Sequence, residues 1–130
     1  MSHIAFTGLK PPDFDVPLIE LEPTEGGVVD LYNDCRLVAA VLKGSQLGFD
    51  FLTAAGSSVQ VLFRGVRGLR VEQPPDWAEG ESDQIEHLLI RREGPWPRME
   101  FKAGGFIYEF DAAELIFVGA KGASGRLAHR

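Results

Sequence analysis

Histidine, cysteine and paired carboxylates are the side chains that most often move protons, attack carbonyls or hold metals, and this chain keeps them apart. Its three histidines are His3, His87 and His129, the first and last near the termini. A metal centre needs several ligands converging, and neither His-x-x-x-His nor Cys-x-x-Cys occurs. His87 alternates with Leu88 beside Glu86, which is the setting of a strand histidine with a hydrogen-bond partner; a catalytic base is the other use of that position. Cys35 is the only cysteine. With a base beside it, it could serve as a nucleophile, but it stands among apolar residues at the head of an expected strand and reads as a small buried hydrophobe. Asp13 and Asp15 form an Asp-x-Asp pair able to hold a divalent ion, yet prolines flank it and no calcium-loop spacing follows. None of the 19 carboxylates stands out as half of an acid/base couple. The expectation is a protein that is not an enzyme, with no catalytic residue, metal or cofactor.

The remaining candidates are binding groups. Trp77 and Trp96 both lie in proline-rich loops, Pro74-Pro75-Asp76-Trp77 and Pro95-Trp96-Pro97. Aromatics on rigid loops anchor protein interfaces and stack on sugars, and they also fold back to cover open ends of a core. Around Trp77 stand Asp76, Glu79, Glu81 and Asp83. Arg64, Arg67 and Arg70 recur three residues apart with glycines between, and are expected on the solvent side, paired with the acidic loops. Gly119, Gly122 and Gly125 are also spaced by three, but a phosphate-cradling loop must open a helix after a strand, and here no helix pattern follows.

A chain of 130 residues, 45% apolar and 25% charged, has the size and composition of one globular domain with a real core. The formal charge is −6. Asp13, Asp15, Glu20, Glu22, Glu25, Asp30 and Asp34 follow one another without a base between, as do Glu72, Asp76, Glu79, Glu81, Asp83 and Glu86. Acidic runs repel phosphate backbones, so nucleic acid is not expected as a partner, whereas encounter with a basic protein is speeded. The N-terminus has no charged n-region, and no apolar run reaches the roughly 18 residues of a membrane span. No membrane partner is expected. A cytoplasmic location is, and the lone cysteine agrees with it.

Such groups must be positioned by strands. Val59, Val61 and Phe63 alternate with Gln60, Leu62 and Arg64, and the alternation resumes at Leu69 and Val71 after Gly65 and Gly68. The segment 28–43 carries two periods. Val28, Leu31, Tyr32, Cys35, Val38, Ala39 and Leu42 are spaced as on a helix, while Cys35, Leu37, Ala39 and Val41 alternate as on a strand. The Gly44-Ser45 turn and the alternating Leu47, Phe49 and Phe51 beyond it decide for a hairpin of Arg36–Lys43 with Gln46–Thr53, leaving room for a short helix at 28–33. A strand at 16–21 belongs on an edge, because Pro17 has no N–H. Ile85–Arg92, Met99–Ala103, Phe106–Phe110 and Glu114–Val118 complete the strands, and 73–83 is a long loop. Residues 1–12 read as an arm and 119–130 as a flexible tail. The fold class expected is mainly β: an antiparallel sandwich or curved barrel-like sheet of seven to nine short strands, with one or two short helices at most. Phe49, Phe51, Phe63, Phe101, Phe106, Phe110 and Phe117 form the expected core.

The order Asn33-Asp34-Cys35-Arg36-Leu37, a hairpin, Val59–Arg64 with Gly65-Val66, and Phe110-Asp111-Ala112-Ala113-Glu114-Leu115 resembles a loose class of small bacterial β-domains, some of which are immunity proteins beside secreted toxins. The resemblance covers 33–118. In that class a His-Asp pair often opens the first hairpin strand, and Asn33-Asp34 stands there in this chain. It implies the fold more than an activity; together with the acidic charge, the expectation is a bacterial, non-catalytic protein-interaction domain, of which an immunity-type role is one version. Its basic partner would meet the acidic face around Trp77. The alternative is a small-ligand or carbohydrate-binding sandwich using Trp77 and Trp96. Exposed sheet edges also make a homo-oligomer an expectation.

Overall fold

Alternating apolar residues on consecutive strands give each strand one dry face, and two such faces close on each other here. The computed structural model describes residues 4–73, 84–92 and 97–121. The loop residues Asp76, Trp77, Glu79, Glu81, Asp83 and Trp96, with His3 and His129, lie outside them. The described strands are β1 (Ala5–Thr7), β2 (Pro17–Leu18), β3 (Glu20–Leu21), β4 (Val29–Asp30), β5 (Cys35–Lys43), β6 (Gln46–Thr53), β7 (Ser58–Arg64), β8 (Arg67–Glu72), β9 (Ile85–Arg91), β10 (Arg98–Ala103), β11 (Phe106–Asp111) and β12 (Glu114–Lys121). They form two five-stranded sheets, ordered β1-β12-β7-β6-β5 and β2-β9-β10-β11-β8, and a small β3-β4 ribbon. The sheets pack as a sandwich and do not close into a barrel.

The meander β5-β6-β7 is antiparallel, with Phe51 paired to Val59 and Leu37 to Phe51. Gly65 (φ 69°) and Val66 then carry the chain to the second sheet, where Val66 is buried and its N–H donates to the Ser45 carbonyl at 2.9 Å. The core fills the space between the sheets. Phe49 on β6 meets Phe101 and Tyr108 of the opposite sheet at 4.6 and 5.1 Å between ring centres, and Phe63 meets Phe110 at 4.9 Å, all edge-on as aromatic quadrupoles prefer. Phe51 is buried too, and Phe117 packs against the cluster partly buried. Phe106, expected inside, is instead 38% exposed. It opens β11 beside the Gly104-Gly105 turn, its ring centre 6.4 Å from that of Tyr108.

The segment with two periods resolves into both. Val29–Asp30 is strand and Leu31–Asp34 is a single helical turn, α1, capped by Asp30, whose carboxylate accepts from the Asn33 backbone N–H at 2.9 Å. From Cys35 the chain is strand, but its pairing slips between Leu37 and Ala39. That bulge changes parity. Cys35 and Leu37 share the core face, whereas beyond it Ala40 and Leu42 pair with the buried Phe49 and Leu47, and Ala39 and Val41 turn outward. The uninterrupted alternation Cys35, Leu37, Ala39, Val41 is thereby corrected.

The strand expected at 16–21 is divided, β2 lying at the edge of the second sheet with Pro17 opposite Leu89 and β3 in the ribbon. The N-terminal arm is tied down: β1 pairs in parallel with β12, and Ile4 and Leu9 are buried. At the other end, Gly119–Lys121 still belongs to β12, so the tail begins later than its glycines suggest.

Candidate functional site

The second sheet turns a charged face outward. Across β9, β10, β11 and β8 the outward positions interlock as ion pairs: Arg91 with Glu100 (3.1 Å), Arg98 with Asp111 (3.0 Å), Lys102 with Glu86 (3.5 Å), and Arg70 with Glu72 and Glu109. His87 belongs to this lattice. Its Nε2 lies 3.4 Å from Glu100 Oε2, while Arg91 Nη2 donates to Glu100 Oε1. Burial by itself pushes the Glu100 carboxyl up, and the hydrogen bonds and positive charge of Arg91 and His87 more than reverse it, so Glu100 stays ionised below the usual carboxylate range. The arrangement is a strand histidine beside a carboxylate held by arginine, and it orders the sheet surface.

Cys35 is buried where α1 runs into β5. Burial, followed by the charges of Asp34 and Asp30, pushes its thiol up to about 11. At neutral pH the thiol is therefore protonated. Asp15 is spent on a loop. It sits at φ 64°, its N–H donates to the Ile90 carbonyl at 2.8 Å, and its carboxylate accepts from the Arg92 N–H at 3.0 Å. Arg92 in turn lies 4.5 Å over the Phe14 ring. Among the described residues no three His, Cys, Asp or Glu side chains gather as metal ligands would. Arg64 and Arg70 face solvent and meet the strand carboxylates Glu114, Glu72 and Glu109, while the acidic loop at 74–83 lies outside the described residues. Gly119 sits at the bulge of β12, with φ 90°.

The first sheet is different. Its outer face carries the row Val41, Gly48, Leu62, Ile116 and beside it the row Ala39, Asp50, Gln60. A Cβ at Gly48 would stand 2.9 Å from Leu62 Cδ2, so the Leu62 side chain leans across β6 there. Gln60 Nε2 donates to Asp50 Oδ1 at 2.8 Å. Two shallow depressions of about 240 and 230 Å³ flank this pair, one beside Val38 and Ser58, the other beside Val41, Lys43 and Leu62. On the open side of β5, Val38, Val41 and Leu42 are 64%, 47% and 51% exposed. No family model, curated protein or solved structure matches the chain. The candidate site therefore rests on its own geometry: the Val41-Gly48-Leu62-Ile116 row and the Asp50–Gln60 pair on the outer face of the first sheet, ending in the exposed apolar side chains of β5. The sequence reading placed binding elsewhere, around Trp77 and Trp96. The signal for β5 was the run Val38-Ala39-Ala40-Val41-Leu42 without a charge, which reads equally well as a core strand.

Among the described residues no helix is long and apolar enough to cross a membrane.

Proposed function

We propose that this chain is a cytoplasmic, non-catalytic protein-interaction domain that engages its partner through β5 and the adjoining face of the first sheet. One observation carries the reading: among the described residues β5 is the longest edge strand of the two five-stranded sheets, and beyond its bulge the stretch Ala39–Leu42 carries no charge. β1 is three residues long, β2 has two residues and a proline, and β8 exposes Arg67, Arg70 and Glu72. β5 runs for nine residues with exposed valine and leucine at its outer half. An open edge with apolar side chains is a template for another strand. The acids Asp76, Glu79, Glu81 and Asp83 beside Trp77 would hasten encounter with a basic partner, and an immunity-type role beside a secreted toxin is one form of this function.

Capture of partners from the native host, at low and at moderate salt, tests it against the same capture with Val41→Lys. A partner recovered by the native chain and lost with the variant is expected. Recovery of nothing above background, or recovery indifferent to Val41→Lys, would overturn the reading.

A further inference from the structure

We infer that the occupant of the β5 edge is β5 of a second copy, paired antiparallel about a two-fold axis at Val41, so that two five-stranded sheets become one of ten strands. The inference rests on reading β5 as a contact edge and goes further by naming what it contacts.

The backbone makes the first case. Lys43 and Gln46 close a two-residue turn at Gly44-Ser45, the commonest hairpin connection, whose closing residues exchange hydrogen bonds. Hydrogen-bonding groups alternate in direction along a strand. Counting back from Lys43, Val41 and Ala39 also turn to β6, while Leu42 and Ala40 offer N–H and C=O to the open edge. Pairing about Val41 sets Ala40 opposite Leu42 of the second copy, and Leu42 opposite its Ala40. The residues with free groups thus meet each other. The bulge between Leu37 and Ala39 lies just past this stretch and ends it.

The side chains make the second. On one face small meets large, Ala40 against Leu42, twice. On the other, Val41 meets Val41 at the axis, and Lys43 of one copy falls opposite Ala39 of the other. Ala39 is the β6 neighbour of Asp50. Adjacent strands lie about 4.8 Å apart, so Lys43 of the second copy starts about 9.6 Å from Asp50 in the same row, a gap that a lysine crossing the short alanine closes. Within one chain, among the described residues, Asp50 has Gln60 and no cation, and Lys43 makes no ion pair. The two unpaired charges become partners only across the axis, and they do so twice. No like charges are opposed in this register.

Only one strand from each side takes part, well short of the roughly 800 Å² per partner of a standard interface, so the dimer is weak and concentration-dependent. Sedimentation equilibrium of the full chain from about 10 to 500 μM should show the average mass rising from 14.3 kDa toward twice that value. Val41→Lys, which sets two lysines on the axis, should weaken association at least about tenfold. Ala40→Pro, which removes an N–H the monomer does not use, should do the same. Lys43→Glu and Asp50→Lys should each weaken it, and the double variant should recover it, a result that loss of folding cannot mimic. A native chain monomeric throughout, a dimer indifferent to Val41→Lys and Ala40→Pro, or failure of the charge swap to restore association would each overturn the inference. If the native chain is monomeric while Val41→Lys still abolishes capture of a host protein, the interaction reading stands and self-pairing falls; if both fail, both readings fall.

Discussion

Phe49 is the side chain on which the two sheets most depend, and truncating it should show that directly. The ring is fully buried and makes edge-on contacts with Phe63 on its own sheet and with Phe101 and Tyr108 on the other. Phe→Ala in a core costs about 3–5 kcal/mol. Three aromatic partners and no solvent path for relaxation place Phe49→Ala near the top, about 4–5 kcal/mol. Phe49→Leu keeps most of the volume and loses the ring-edge attraction, so it should cost about 1–2 kcal/mol. Phe106→Ala, at a position already 38% exposed, should cost about 1 kcal/mol. With a urea slope of roughly 1.5 kcal/mol per molar, the midpoint should fall by about 3 M for Phe49→Ala and by under 1 M for Phe106→Ala. Where the native stability lies at the low end of roughly 5–15 kcal/mol, Phe49→Ala leaves no measurable midpoint and Phe49→Leu carries the measurement. Equal midpoints for the Phe49 and Phe106 alanine variants would refute the sandwich packing, because one ring would then be no more enclosed than the other.

Three further outcomes follow from the geometry. Glu100 has a folded pKa held below its unfolded value, so its stabilisation is complete above the unfolded value of about 4.3 and is lost as pH falls through the folded pKa; the stability gap between the native chain and Glu100→Gln should narrow between about pH 5 and pH 3 in denaturant titrations, and a gap that does not change with pH would contradict the Arg91–Glu100–His87 arrangement. Cys35, at about 11 where an ordinary thiol sits near 9, should react with a thiol reagent at pH 8 at least about a hundredfold more slowly in the folded chain than in denaturant; comparable rates would place it at the surface. Gly8 sits at φ 82°, and a Cβ there would stand 2.4 Å from the Phe117 carbonyl oxygen, so Gly8→Ala should cost about 2 kcal/mol or more and free the β1 amides to hydrogen exchange; unchanged protection of Ala5–Thr7 would show that β1 does not depend on this close approach.

Period-two alternation was enough to locate β6, β7, β10 and β11, because each holds three or more alternating apolar residues between glycine turns. The Gly44-Ser45 turn settled the ambiguous segment, since a two-residue connection demands an antiparallel strand on either side. What escaped has physical causes. β1, β3 and β4 are two or three residues long and express no period, and β1 is fixed by a parallel contact with β12 more than a hundred residues away in the chain. Alternation reports which face a side chain occupies, but not how deeply it is covered, so Phe106, at the first position of β11, looked like core. The β5 bulge exchanges the faces of everything after Leu37, and no residue in Leu37-Val38-Ala39 announces it. Of the candidate groups, the strand position of His87 was legible from its alternation with Leu88, and the burial of Cys35 from its apolar neighbours. The open edge was not, because an exposed Val-Ala-Ala-Val-Leu and a buried one are the same letters.

β6 shows why contact and stability can be separated in this fold. Leu47, Phe49 and Phe51 are buried in the core, while Gly48, Asp50 and Leu52 alternate with them on the outward face. The inward set answers to the opposing sheet, and truncating it removes the structure that β5 leans on. The outward set touches β5 and β7 neighbours only through short pairs such as Asp50 with Gln60, so a change there leaves the core closed. Asp50→Lys should therefore alter association at nearly native stability, whereas Phe49→Leu should lower stability and leave the charge pairing across β5 as it was. The two substitutions stand one residue apart, and opposite responses from them are what a two-layer sheet with a contact edge at β5 requires.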